Sequence, residues 1–454
     1  NYFTDEIAAE LTRRGERAFI MDLRDDASFE RLQAFLFPSG DTAATHTNTS
    51  GESAVNRDAA VILCFDRIGV HEEAFREYWD SLDIPCIDIF MDPPFRFHDI
   101  LEKPPRRLVQ FCPDEIHVAY IKRYFPQVKE VYFLPHPATP VSHREESVVR
   151  LSSPPAALAE SASDKCVSSD VLPSFSERKY DILFTGTWYS PAERMAEPLR
   201  YLEEGSLLHT VYMTLYARLL ENPCADITEE AVRVARECGY QPTEESLLAF
   251  FRLLAPMDWA VRMEVRARVL LAVASSEREL WLLGRGFEHL RIPKDGEHAS
   301  VFSAASDHAQ VYAADGNISR FLSKNQGKRL IDLPNVRLIS DRVGFKETFP
   351  YMEQAKIVLN VMPGFKAGTH DRVFNAMLRG AVCLTDESTW LTAHFQDKKD
   401  LRFYRANDLD EIPRILTEVL ERPKASAGIA ARGSRKVAES YTWKDYVDRL
   451  LAFL

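Results

Sequence analysis

The stretch that decides the fold runs from Gly368 to Glu387 and has the sequence GTHDRVFNAMLRGAVCLTDE. Its first half places apolar residues at helical spacing, and Gly380 stands where a glycine commonly ends a helix. The apolar run 381–384 then predicts a buried parallel strand, which ends at Asp386 and Glu387. Helix, glycine stop and buried strand together predict an α/β unit.

The loop before this helix predicts an anion site. His370, Asp371 and Arg372 fall at the helix N-terminus, where unpaired N–H groups and the helix dipole attract negative charge. The guanidinium fork of Arg372 suits a phosphate, and Asp371 is a residue type typical of a helix N-cap. We therefore expect a phosphorylated ligand beside the carboxyl end of the strand.

Composition excludes several classes of function. The chain has 454 residues, which predicts two domains, and a net charge of −12 without a basic stripe. These features argue against nucleic-acid binding and against extended contact with anionic lipid. No apolar run is long enough to span a membrane, and the start lacks a signal-peptide pattern. A cytoplasmic protein is predicted, and peripheral membrane contact stays open.

The cysteine pattern also predicts a cytosolic protein. The seven cysteines are scattered, without C-x-x-C spacing or a Cys/His cluster. Most lie in apolar runs, which is typical of buried reduced thiols in the cytosol. We expect neither a metal site nor a cofactor.

Residues 1–141 alternate strands with helices and predict a parallel-sheet domain. A helix is expected over 4–14 and a strand over 18–23, so a first strand is expected to precede the sequence. Further strands are predicted at 59–65, 86–90, 108–112 and 131–134.

Residues 142–177 are rich in Ser, Ala and Pro and predict a linker or insertion. A second parallel-sheet domain is predicted over 178–436, with a helical insertion at 192–276. A terminal helix over 437–454 is expected to pack back on the first domain. Two such domains would face a cleft, where ligands bind at strand carboxyl ends.

Five segments, in order, resemble the C-terminal domain of GT-B glycosyltransferases, close to the group-1 type and to the CgeB-like (spore maturation protein-like) proteins. They are Tyr180 to Trp188, Trp281 to Gly286, Tyr351 to Asn360, Gly368 to Glu387, and a tail through Tyr441 and Trp443. The resemblance covers about the last 270 residues, less the helical insertion.

The resemblance implies a bacterial, metal-independent enzyme of the hexosyltransferase class. Such an enzyme moves a sugar from a nucleoside diphosphate sugar, here with UDP-sugar favoured, to a protein, glycan or small-molecule acceptor. The C-terminal domain would hold the donor, and the N-terminal domain would hold the acceptor.

The resemblance also assigns donor contacts. Arg372 would pair with the diphosphate, and Asp386 or Glu387 would take the ribose hydroxyls. The other expected donor-binding residues are Gly186, Thr187, Gly284, Arg342, Val343, Lys366, Gly368, Thr369, His370 and Asp371.

An inverting transfer needs a base near the acceptor hydroxyl. The first domain offers Asp92 and His98, and the domain junction offers His136. Each also has a structural interpretation, Asp92 as a turn former before two prolines and His136 as a packed junction residue. His370 is predicted to contact the donor or to stabilise the leaving phosphate.

Two positions depart from the family pattern. Asn375 stands where a glutamate is frequent after the Phe, and Cys383 stands where some relatives carry a second glutamate. This departure leaves open a non-catalytic GT-B protein that binds a nucleotide or glycan as a partner subunit. A sugar-phosphate epimerase of similar architecture is a third alternative, and the stereochemistry of transfer stays open.

Overall fold

Two parallel sheets form the framework of the molecule. A computed structural model describes residues 2–25, 27–36, 60–141, 172–294 and 316–453. The predicted linker therefore lies largely outside the described residues, as does 295–315.

The first sheet has four strands in chain order. They are β1 (Ile62–Phe65), β2 (Cys86–Ile89), β3 (Leu108–Cys112) and β4 (Glu130–Phe133). All neighbouring pairs are parallel. Helices α1 and α2 precede the sheet, and α3, α4 and α5 lie between its strands. Their bounds are Tyr2–Arg13, Ala27–Leu36, Glu73–Leu82, His98–Glu102 and Glu115–Tyr124.

The second sheet has six parallel strands. They are β5 (Tyr180–Thr185), β6 (Leu280–Leu283), β7 (Val336–Ser340), β8 (Ala355–Leu359), β9 (Val382–Asp386) and β10 (Arg402–Tyr404). Their order is β10-β9-β8-β5-β6-β7. The chain runs outward from β5 to β7, then returns to β8 on the other side of β5. The gap between β5 and β8 is therefore the topological switch point, where ligands bind in doubly wound sheets.

Five helices connect β5 to β6. They are α6 (Pro191–Leu199), α7 (Leu207–Glu221), α8 (Ile227–Glu237), α9 (Glu244–Phe251) and α10 (Leu254–Ala274). Turns near Asn222 and over 239–243 separate α7 from α8 and α8 from α9. Almost all of α10 is buried, so it is the central helix of this group.

The remaining helices follow β6. They are α11 (Asn317–Asn325), α12 (Phe349–Glu353), α13 (Asp371–Leu378), α14 (Thr389–His394), α15 (Glu411–Glu421), α16 (Pro423–Ser440) and α17 (Trp443–Leu451). No helix among the described residues is both long enough and apolar enough to cross a membrane.

The deciding stretch folds as predicted, with one correction. All eight residues of α13 are buried, Gly380 follows it with φ +69°, and β9 is buried along its length. The N-cap is His370 rather than Asp371, because the extended backbone that precedes the helix lies at residue 370. Asp371 is the first helical residue.

The C-terminal helix lies against the first sheet. Trp443, Tyr446 and Val447 of α17 share one apolar cluster with Ile87 and Phe111 of that sheet. The chain therefore crosses from the second sheet back to the first, and α17 joins the two halves.

The other local errors have simple causes. The predicted strand over 18–23 is wrong, because this extended segment has no ladder partner among the described residues. Strand β10 was missed, since three residues are too few to show an alternation. Helices α11 and α14 were also missed: α11 lies in a polar segment, and α14 has only six residues.

Candidate functional site at the switch point

Arg372 lies at the topological switch point of the second sheet. From α13 its Nε donates to Thr185 Oγ1 at 3.1 Å, and its Nη1 donates to Asn360 Oδ1 at 2.8 Å. Thr185 ends β5 and Asn360 follows β8, so the guanidinium bridges the two strand ends. The side chain is buried, and burial lowers its pKa.

The remaining donor of Arg372 is directed at a glycine turn. Its Nη2 lies beside Gly186, and a Cβ built on that glycine would be 3.5 Å from it. Nη2 has no hydrogen-bond partner within the described part of the chain. A planar donor that points at open backbone is suited to a phosphate oxygen.

Arg266 is a second cation at the switch point, and it is not among the residues predicted from the sequence. It comes from α10, and its Nη1 donates to the carbonyl oxygen of Thr187. Both Arg266 and Arg372 lie over the ring of Phe184, at 5.6 and 5.4 Å. Burial, and then the charge of Arg372, lowers the pKa of Arg266 to about 9, so it stays cationic at neutral pH.

Arg266 could have been recognised by its spacing. Asp258, Arg262 and Arg266 recur every four residues in a helix that is mostly buried, and its other two charged residues, Glu264 and Arg268, pair with each other. Charged residues are rarely buried without a partner or a ligand. One polar edge on a buried helix is therefore a signal for a site.

The glycines of the two neighbouring turns are needed for close packing. A Cβ on Gly284 would lie 2.8 Å from the carbonyl carbon of Gly186. Gly186 N donates to the carbonyl of Leu283 at 3.0 Å. Gly186 and Gly284, both predicted to contact the nucleotide-sugar donor, thus bring the ends of β5 and β6 together.

His370 and Asp371 form a pair at the start of α13. Nδ1 of His370 contacts Oδ1 of Asp371, and the same carboxylate oxygen accepts from Arg372 N at 2.8 Å. Nδ1 also lies 3.2 Å from Arg372 N. Since Nδ1 cannot donate and accept together, and the carboxylate contacts are shorter, we assign it as the donor. Nε2 then carries the lone pair.

The electrostatics of this pair favour an uncharged ring. Burial lowers the pKa of His370, although Asp371 opposes that shift. Burial alone would raise the pKa of Asp371, but its contact with His370 and the charge of Arg372 hold it below its ordinary value. The side chain of His370 is 30% exposed, so an ionised Asp371 orients a neutral, accessible imidazole.

His136 lies next to this pair. Its ring centroid is 6.4 Å from that of His370, and it also contacts Phe3 and Phe365. Burial lowers its pKa to about 4. Its Nδ1 is buried without a partner among the described residues. His136 is a packed, neutral ring at the domain junction.

Gly368 and Thr369 lie at the interface of the two domains. A Cβ on Gly368 would be 2.8 Å from Asp114 Cα, so the first domain leaves no room for a side chain. Thr369 N donates to the carbonyl of Pro113 at 3.4 Å. Both residues, predicted to bind the sugar donor, therefore join the domains. Lys366, from the same loop, donates to the carbonyl of Pro223, and burial lowers its pKa.

The two acids at the end of β9 lie in different environments. Asp386 is buried and accepts from Met362 N at 2.9 Å, and burial raises its pKa to about 6. Glu387 is exposed, and partial burial raises its pKa as well. Glu387 is the acid that a ribose could reach without displacing a backbone contact.

Arg342 and Val343 follow β7 at the outer end of the sheet. Arg342 is exposed, and its N–H donates to Ser340 Oγ at 3.2 Å. Gly284 N donates to the carbonyl of Ser340 at 2.9 Å, so the ends of β6 and β7 are adjacent.

Asp92 and His98 are held by structural contacts. Asp92 pairs with Arg96 at 3.0 Å and with Arg262 at 3.4 Å. His98 is buried against the hydroxyl of Tyr120 at 2.7 Å, and burial lowers its pKa to about 4. Neither lies beside His370.

The two departures from the family pattern have structural roles here. Asn375 Oδ1 accepts from Thr139 N at 3.1 Å and from Arg379 Nη1 at 3.0 Å. Cys383 is fully buried in β9, and burial raises its pKa. Cys383 is close enough to Arg372 for the two to interact electrostatically, and Asn375 Nδ2 donates to the carbonyl of Asp371 at 2.9 Å.

Residues 328–452 match the profile of a protein family described as glycosyl transferase-like. The matched segment contains the deciding stretch and all of α13 to α17. No curated protein matches the chain in sequence.

Solved structures resemble the chain weakly. HepE from Anabaena, in complex with UDP-glucose, is 7% identical with a TM-score of 0.42; the alignment covers 86% of this chain and 79% of HepE. A glycosyltransferase from Rickettsia africae is 8% identical with a TM-score of 0.42, at coverages of 99% and 92%. TarM is 9% identical with a TM-score of 0.37. That alignment covers 84% of this chain but only 57% of the length of TarM.

Proposed function

We propose that this protein transfers a sugar from a nucleoside diphosphate sugar, with UDP-sugar favoured, to a protein or glycan acceptor. The observation that carries the proposal is the position of Arg372 at the switch point, with Nη2 directed at the Gly186 turn. The glycosyl transferase-like match over 328–452 supports the same class of reaction.

The arginines would stabilise the leaving group. When the bond from the anomeric carbon to the diphosphate breaks, negative charge develops on the phosphate oxygen. Arg372 and Arg266 both lie over the Phe184 ring and would stabilise this charge. Two fixed side-chain cations can supply the positive charge that a divalent metal supplies in other transferases, so we propose a metal-independent reaction.

His370 would accept or donate the proton in this reaction. With Nδ1–H directed at Asp371, its Nε2 lone pair can accept the proton of an attacking hydroxyl or hold one for the leaving phosphate. We favour His370 over His136, because His370 is the more exposed of the two rings.

The test is turnover with purified full-length protein and a panel of UDP-, GDP- and ADP-sugars. Release of nucleoside diphosphate, by transfer or by slow hydrolysis, is the expected result. The alternative is a protein that binds nucleotide without turnover. It rests on Asn375 and Cys383, which stand where relatives carry glutamates and which make structural contacts instead. Binding without release of product would favour that alternative, and no binding of any nucleotide would reject both.

A further inference from the structure

A basic groove lies beside the edge strand of the second sheet. Helices α15 and α16 form its walls together with β10 and the loop that leads into that strand. Its volume is about 360 Å³, which is within the range of sites that hold small molecules. Its lining residues are different from those described at the switch point. We call it the edge groove.

Positive charge dominates the walls of the edge groove. Among the described residues, its lining includes five cations and one acid, Glu418. This excess contrasts with the net charge of −12 of the whole chain. A concave surface that carries charge of one sign attracts a ligand of the opposite sign. The five cations are Lys398, Arg402, Arg422, Lys424 and Arg432.

Arg402 provides a fixed hydrogen-bond donor in the wall. Its side chain is only 4% exposed, its Nε donates to Asp397 Oδ1 at 3.0 Å, and its Nη1 lies 3.2 Å from Glu418 Oε2. These two contacts fix the plane of the guanidinium. Its Nη2 has no hydrogen-bond partner within the described part of the chain. A buried guanidinium that is held in place and keeps a free N–H is suited to a phosphate oxygen.

The other cations supply the excess charge, because the two acids beside Arg402 already offset that residue. Arg432 is held in the wall: its Nε donates to the carbonyl of Lys399 at 2.8 Å, and its Nη1 would lie 3.3 Å from a Cβ on Gly428. Arg422 is 71% exposed and lies 3.9 Å from Glu418, which makes at most a weak pair. The groove therefore keeps positive charge that a ligand can use.

The amino end of α16 opens on the same groove. Pro423 is the first residue of this helix, and the side chain of the preceding Arg422 makes no capping hydrogen bond. The N–H groups of Lys424 and Ala425 lie in the first turn, where they have no acceptor within the helix, and both residues line the groove. Free N–H groups and the helix dipole attract a phosphate to such a place.

We propose that the edge groove binds a phosphate monoester, with Arg402, Arg432 and the first turn of α16 as the contacts of its phosphate group. The groove has room for an organic group beside the phosphate, and Val419 and Ile429 add apolar surface to its walls. This site is separate from the proposed donor site, so it does not depend on the transferase function.

Two variants weaken the groove without touching the buried Arg402. Arg432→Gln removes one cation from the wall. Its matched control is Arg435→Gln, because Arg435 is exposed on the same helix but does not line the groove. Gly428→Glu places a carboxylate beside Arg432 and replaces a helix glycine by a better helix former, so the fold is retained. Gly428→Ala is its control for the added Cβ.

The experiment is a calorimetric titration of glucose 6-phosphate into the full chain, with and without UDP. We expect saturable binding in the native protein, the same affinity when UDP is present, and no binding of glucose. Arg432→Gln should weaken binding of glucose 6-phosphate at least about fivefold, and Gly428→Glu should abolish it. Arg435→Gln and Gly428→Ala should stay within about twofold of the native protein.

A second assay identifies the source of the phosphate monoester. Phosphatidylcholine vesicles with and without phosphatidic acid are sedimented with the native protein and with Gly428→Glu. Sedimentation that needs phosphatidic acid and is lost in Gly428→Glu would assign the phosphate to a lipid headgroup. Binding of glucose 6-phosphate alone would assign it to a soluble ester.

Three results would overturn the inference. The first is binding of neither glucose 6-phosphate nor the phosphatidic acid vesicles. The second is equal binding by the native protein, Arg432→Gln and Gly428→Glu. The third is loss of glucose 6-phosphate binding when UDP is added, which would place the ester at the switch point.

Discussion

The carboxyl ends of the two sheets differ in the charges that they carry. In the first domain, Asp66 follows β1, Asp88 lies in β2 and Asp114 follows β3. In the second domain, Arg372 and Arg266 approach the ends of β5 and β8 from helices elsewhere in the chain, while Asp386 and Glu387 lie at the end of β9. We call the first the acidic edge, because of its own strands and turns, and the ends of β5 and β8 the basic edge, because of the helices packed on them.

In the proposed reaction, this difference would separate two tasks. Burial raises the pKa of Asp66 and Asp114 to about 6 and that of Asp88 to about 7, and the cations Arg96 and Lys366 offset this only in part for Asp66 and Asp114. The acidic edge would repel a diphosphate, and the basic edge would attract it. We therefore expect the donor at the second domain.

The largest effect is expected at His370. His370→Gln keeps a polar side chain but removes the proton acceptor, so kcat should fall by about 10²–10⁴. UDP affinity should change little, since the cations remain. Steady-state kinetics with the best donor separate the two quantities. Loss of UDP affinity with an unchanged kcat would assign His370 to binding instead.

Removal of Arg266 weakens the basic edge directly. Arg266→Gln deletes a buried cation next to Arg372, and a charge-assisted hydrogen bond contributes about 1.5–3 kcal/mol. UDP affinity should therefore fall about 10- to 150-fold, as measured by calorimetry. Arg278→Gln, which removes a surface pair with Glu421, is the control and should bind UDP normally.

The contact between the two domains at Gly368 leaves no room for a single added methyl group. Gly368→Ala places a Cβ 2.8 Å from Asp114 Cα, so backbone must move at the domain interface. We expect a loss of about 1–3 kcal/mol in the free energy of unfolding, measured by urea denaturation. An unchanged midpoint would show that the domains do not meet at Gly368.

The acidic edge predicts a pH dependence of stability. Burial raises the pKa of Asp88 from 3.8 to about 7, so the folded protein keeps a proton that the unfolded chain loses. Stability should fall as pH rises through this window. Asp88→Asn should raise the free energy of unfolding by about 1–3 kcal/mol at pH 8.

A measurement of Asp88→Asn at a second pH serves as the control. The difference from the native protein should shrink towards pH 4, where Asp88 is protonated in the folded state. An equal difference at both pH values would show that packing, rather than ionisation, explains the effect.

Local sequence predicted the elements better than the contacts between them. The helix and strand of the deciding stretch follow from periodicity and a glycine stop, and so do both parallel sheets. Arg266 was missed because its partners, Thr187 and Phe184, lie about 80 residues earlier in the chain.

The glycines show the same limit. Gly368 carries no local sign of its neighbour in the first domain, so the sequence suggested a contact with the sugar donor. Asn375 looked like an altered ligand position, but its amide holds Thr139 and Arg379. Such roles depend on which segments meet in three dimensions, and single-sequence patterns do not encode that.

Calorimetric titration of UDP into the native protein, Arg372→Gln and Arg379→Gln tests the central claim most directly. Arg379 is a buried arginine at the other end of α13, where it binds Asn375, so it controls for loss of a buried cation. We predict that the native protein and Arg379→Gln bind UDP alike, while Arg372→Gln binds at least about tenfold more weakly. Equal UDP affinity in all three proteins would contradict a diphosphate site at the switch point.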